Sequence, residues 1–168
     1  MIRKIILMLF VAVMLYGCGY RLSGTGAFLP GHVKTILIRN FENETSRYQA
    51  EQFVTFAVRD EFIRRVRLKM VEGMDEADAV LEGRIISFTV TPVSYSESAA
   101  DKFQVSIVLD IRLMDLKEGR VLFENRHLRF VDAYEVDSAD FFSMETESLQ
   151  RISRAFAVSV VTSILEDF

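Results

Sequence analysis

Cysteine is nearly absent from this chain. It holds one, Cys18, beside two histidines, two prolines and no tryptophan. A single thiol excludes an internal disulfide, for which exported proteins carry cysteines in pairs. His32 and His127 lie far apart in sequence, so no nucleophile activated by a neighbouring histidine can be assembled. Zinc would need clustered His and Cys ligands, which are missing. No Gly-rich loop follows a strand as a phosphate cradle requires. The acidic run Asp75, Glu76 and Asp78 reads as a solvated loop rather than a calcium site. These absences leave no catalytic residue, no metal and no dissociable cofactor to expect, and the chain reads as a non-enzyme.

An apolar run long enough to span a membrane is missing as well. Ile5 to Leu15 is eleven residues without a charge, where a spanning helix needs about 20. Arg3 and Lys4 precede the run and the small residue Gly17 ends it, the pattern of a signal peptide over residues 1–17. Leu15-Tyr16-Gly17-Cys18 resembles the lipobox of bacterial lipoproteins, although Tyr16 is bulkier than the residue usual there. On that reading Cys18 is the first mature residue and carries S-diacylglycerol and an N-palmitoyl chain. Two or more chains make a stable anchor, at about 0.8 kcal/mol per buried methylene. The weaker alternatives are an uncleaved inner-membrane anchor and an accidental cysteine. Gly19 is not acidic, which in well-studied Gram-negative bacteria sorts a lipoprotein to the outer membrane.

Basic charge is also in deficit. Loss of the signal would leave 18 basic against 24 acidic residues, which argues against nucleic acid as a partner. Fourteen phenylalanines suit a packed core, and the mature length suits one domain.

The mature chain opens on a Gly-rich tether, residues 18–32, followed by a single domain over 33–168. Val33 to Arg39 is β-branched and predicts a first strand. Ser46 and Gln49 have capping-box spacing. Ala50, Phe53, Val54, Ala57, Val58, Phe62 and Val66 then recur at helical steps over about 47–65. Val66 to Val71 predicts a second strand, making a βαβ unit. Ala79 to Ser96 is long for a strand and its apolar parity switches, which predicts a bulge near Ile86; Pro92 predicts an edge there. Phe103, Val105, Ile107, Leu109, Ile111 and Leu113 alternate cleanly inward. A turn at "DLKEGR" leads into Val121 to Val131. Ala139 to Leu165 is a second helix, with Leu149, Ile152, Phe156, Val160 and Ile164 as its stripe, widened by Ala155, Val158 and Val161. The order predicts an α+β two-layer sandwich, two helices on one face of a mixed four- to five-stranded sheet. The other face would stay uncovered, with Val90, Val93, Val108 and Met114 near it, a surface suited to a partner.

Cys18-Gly19-Tyr20-Arg21-Leu22 with Gly24, then Leu29-Pro30, "VKTILIRNFENET" and "ADAVLEGRIISF" together resemble the lipopolysaccharide-assembly lipoproteins, the LptE (RlpB) family. The resemblance spans nearly the whole mature chain. It implies a non-enzymatic outer-membrane lipoprotein, held on the inner leaflet by its acyl chains. Such a protein plugs and helps assemble the β-barrel translocon LptD and assists lipopolysaccharide toward the outer leaflet. A wide polar barrel lumen has need of a plug. Lipid A carries phosphates that Arg and Lys pair with, so Lys102, Lys117, Arg120 and Arg126, at strand ends and on the last strand, are candidate lipopolysaccharide contacts. The cluster Arg64, Arg65, Arg67 and Lys69 reads first as a helix C-terminus complementing its dipole. The alternative is a lipoprotein binding module of similar size serving another envelope assembly or secretion machine.

Overall fold

β-Branched Thr35–Ile38 forms strand β1, with Ile36 and Ile38 buried. The computed structural model describes residues 29–96, 99–135 and 141–166. Cys18 and Gly19, and the lipidation and sorting expectations with them, lie outside those residues. After β1 come β2 (Glu42–Asn43), α1 (Ala50–Arg65), β3 (Lys69–Met70), β4 (Ala79–Ser96), β5 (Ala99–Asp115), β6 (Arg120–Glu135) and α2 (Phe141–Glu166).

The strands make one mixed sheet in the order β3-β1-β4-β5-β6, with β2 also paired to β4. The sheet has six strands where the sequence predicts four or five. The extra one lies inside the turn "NFENETS", where Glu42 and Asn43 pair in parallel with Arg84 and Ile85. Of the strand predicted at Val66–Val71, only Lys69 and Met70 pair with β1, also in parallel. The helix before it ends at Arg65, and the extended backbone of its cap, Val66, still donates to the carbonyl of Phe62 at 2.8 Å.

Helix α1 starts at Ala50, and Ser46 does not cap it. Gln49 occupies the cap in a left-handed conformation (φ 64°) with no side-chain bond to the helix. Asn43 organises the approach instead. Its Oδ1 accepts from the Thr45 N–H at 3.0 Å and its Nδ2 donates to Glu51 at 2.8 Å. The short β2 holds Asn43 where its amide can do both, and the Ser46 hydroxyl is left aside.

The helices cover one face of the sheet. Ala50, Val54, Val58 and Phe62 of α1 and Leu149, Ile152, Phe156, Val160 and Ile164 of α2 pack on Ile36, Leu81, Ile85 and the predicted inward row of β5. Val161 is buried as predicted, whereas Ala155 and Val158 face outward and Ala157 is buried in their stead. The predicted bulge is present, the register with β5 shifting between Ile85 and Ser87. It turns Phe88 and Val90 onto the helix side, opposite Ile107 and Val105, so Val90 belongs to the covered face and not the open one. Beyond Ile85 no strand but β5 pairs with β4 among the described residues, so Pro92 stands on an edge, as its missing N–H requires.

Candidate functional site

The open face is read from the register. Leu37, Val80, Met114 and Val121 lie side by side at the end nearest the β5–β6 turn. The next ranks are charged: Glu82, Arg112 and Glu124, then Arg84 and Asp110. Farther on come Ser87, Val108 and Arg129, then Thr89, Ser106 and Val131. Val108 and Met114 thus sit where the sequence predicts them.

The charged ranks form a shallow groove of about 330 Å³, joined by Arg39, Asn40, Glu42 and Arg126. Asp110 organises it. A bulge in β6 puts His127 at φ 58°, and the His127 N–H donates to Oδ1 of Asp110 at 2.8 Å. The other oxygen accepts from Arg84 at 3.0 Å. Burial pushes the Asp110 carboxyl up, but the His127 N–H and the Arg84 guanidinium outweigh it and hold the group below its ordinary value. Arg84 is raised in turn, first by its bond to Asp110 and then by Glu44 at 3.0 Å. Arg39 pairs with Glu82 at 3.0 Å and Arg126 with Glu124 at 2.9 Å. Arg112 has no ion-pair partner among the described residues, although it faces Glu82 and Glu124 across the strands. Chemically the groove is a zwitterionic floor with one uncommitted guanidinium, suited to an anion with several oxygens.

The four basic candidates do not converge. Lys102 pairs with Glu135 at 3.3 Å near the start of β5. Lys117 pairs with Asp78 at 2.6 Å and Arg120 with Glu118 at 2.7 Å, both around the β5–β6 turn. Lys102 and Lys117 therefore stand near opposite ends of β5, roughly 40 Å apart at 3.3 Å per residue. Only Arg126 reaches the groove. Of the earlier cluster, Arg64 and Arg65 are held by buried Glu61 of their own helix. Arg112 and Arg84 were legible as outward positions on their strands, but what gathers them around Asp110 is cross-strand register.

Among the described residues no helix is long and apolar enough to cross a membrane. A family model, LptE, lipopolysaccharide-assembly, matches residues 33–165. No curated protein matches the sequence. Solved structures share the fold. The lipoprotein B structure from Nitrosomonas europaea has TM-score 0.58 at 16% identity, over 88% of this chain and 90% of that one. A protein from Xanthomonas campestris has TM-score 0.56 at 14% identity, over 86% and 91%. The PelC dodecamer from Paraburkholderia phytofirmans has TM-score 0.51 at 12% identity, over 84% and 95%.

Proposed function

The chain belongs to the LptE family of lipopolysaccharide-assembly proteins, and on that premise we propose that it is an outer-membrane lipoprotein that plugs and helps assemble an LptD-type β-barrel and assists lipopolysaccharide through it. The observation that carries the reading is the family match, which runs from before β1 into the last turns of α2 and so takes in every strand and both helices. Residues 1–17 are the signal, Cys18 bears the acyl chains, 18–32 is the tether and 33–168 the domain in this reading. The role is structural and non-enzymatic.

Two features of the domain support it. Among the described residues no helix covers the second face of the sheet, which leaves room there for a partner or ligand without unfolding anything. The groove on that face offers Arg112 and Arg126 to lipid A phosphates, with Arg84 and Asp110 as a fixed floor.

The test is a pull-down of tagged full-length protein from detergent-solubilised outer membranes. Equimolar recovery of one large β-barrel supports the reading, as does failure of that barrel to mature when the protein is depleted. Recovery with a different envelope complex would overturn the translocon role and favour a binding module of another machine.

A further inference from the structure

His32 is isolated in sequence, 83 positions from Asp115, but folding places its imidazole between two carboxylates. Nε2 lies 2.7 Å from Oδ2 of Asp115, and Nδ1 lies 3.8 Å from Oε1 of Glu118. One ligand atom from each of the three residues lies within 4.8 Å of the other two. Sequence spacing gave no sign of this grouping, because His32 and Asp115 lie 83 positions apart along the chain.

The surroundings hold these groups in place. Asp115 is fully buried (0% exposed). Its Oδ1 accepts the backbone N–H groups of Lys117 at 2.9 Å and Glu118 at 3.0 Å, which turns Oδ2 toward the imidazole. Arg120 donates to Oε2 of Glu118 at 2.7 Å, leaving Oε1 to face His32. The nearby ammonium of Lys117 is drawn away to Asp78 at 2.6 Å. The side chains of His32 and Glu118 remain 31% and 50% exposed, so an ion has a route in.

We propose that His32, Asp115 and Glu118 bind a divalent transition-metal ion, zinc foremost, which clasps the N-terminal end of the domain to the β5–β6 turn. One imidazole nitrogen and two carboxylate oxygens, each about 2.0–2.2 Å from the ion, make a three-ligand set with a fourth place for water. To take the ion, the Nε2–Oδ2 pair would open from its hydrogen-bond spacing of 2.7 Å and the exposed Glu118 side chain would swing from Nδ1 toward Nε2. Calcium and magnesium prefer shells built from oxygen alone, whereas an imidazole selects the borderline ions. The backbone N–H groups on Asp115 and the guanidinium on Glu118 orient the ligands from behind. His32 and Asp115 lie 83 positions apart and meet only on folding, so an ion here binds the native chain and stabilises it.

A protonated imidazole between two carboxylates could hold the same geometry without metal, and the experiment separates the two. Full-length protein in detergent, stripped with chelator, is titrated with zinc chloride at pH 7 by calorimetry, and its thermal midpoint is followed in parallel. The expected result is one zinc per chain at micromolar affinity and a midpoint that rises with zinc. Glu118→Gln and His32→Gln should each weaken binding at least tenfold, while Lys117→Gln leaves it unchanged and calcium gives no heat. Glu118 lies on the surface, so its variant tests the site without depending on the core. Absence of zinc binding in the parent chain, or binding unaltered in both variants, would overturn the proposal.

Discussion

The ring of Phe41 occupies the space that a Cβ on Gly83 would take. Phe41 is 2% exposed and packs edge-on against Phe156 with centroids 5.9 Å apart, and Phe130 meets Phe156 in the same way at 5.5 Å. The absent side chain in β4 therefore lets the β1–β2 connection drop a ring onto helix α2. Gly83→Ala should destabilise the fold by about 1–3 kcal/mol through overpacking. The thermal midpoint should fall by several degrees. On a Phe41→Leu background the same change should cost less, and full additivity of the two would refute the contact.

Thr55 is a buried polar residue on α1 whose hydroxyl accepts the Phe41 N–H at 3.0 Å. Thr55→Val keeps the shape and strands that donor, at about 1–3 kcal/mol. Thr55→Ser should keep most of the stability. Chemical denaturation of the two variants ranks them, and equal losses would show that the hydroxyl bond is not what matters.

Acid should loosen the end of the sheet around the β5–β6 turn first. Asp78 is held well below the usual carboxylate range, chiefly by Lys117 and then by the N–H groups of Lys34 and Thr35. Burial pushes Asp115 up, but the Glu118 N–H, His32 and the Lys117 N–H overcome it and leave it lowered. A depressed carboxyl stabilises the fold above its unfolded value, near 3.9, and that contribution is lost as pH falls toward the folded value. The midpoint should thus hold from neutral pH down to about 5 and drop below about 4. Asp78→Asn should lower the neutral plateau and flatten the acid limb, as thermal melts across pH would show. An unchanged acid limb in that variant would assign the transition to other groups.

Within the lipopolysaccharide reading, the groove makes a ranking among cations. Arg112→Ala should weaken lipopolysaccharide binding more than Lys102→Ala, because Lys102 stands far from the groove beside Glu135. A lost charge-assisted hydrogen bond is worth about 1.5–3 kcal/mol, roughly a tenfold or greater loss in affinity. Binding of fluorescent lipopolysaccharide to the purified variants is the readout. Equal effects at the two positions would remove the groove from the argument.

At the other end of the chain, Cys18→Ala should abolish incorporation of labelled palmitate and release the protein from the outer-membrane fraction. Retained label would place the acyl chains elsewhere.

Local order was readable residue by residue. Alternation from Phe103 to Leu113 declared a half-buried strand, helical steps from Ala50 to Phe62 declared an amphipathic helix, and the parity switch at Ile86 declared a bulge, because each is a backbone period printed directly in side-chain polarity. What depended on partners distant in sequence was not. The two-residue strand Glu42–Asn43 has no period of its own and exists only because β4 offers it an edge. The displacement of Ser46 by Asn43, the gathering of Arg84, Arg112 and Arg126 around Asp110, and the meeting of His32 with Asp115 and Glu118 all follow from register and turn placement. Side-chain periodicity determines which face of an element is buried. Which polar groups meet on the other face is decided only when the strands come to lie side by side.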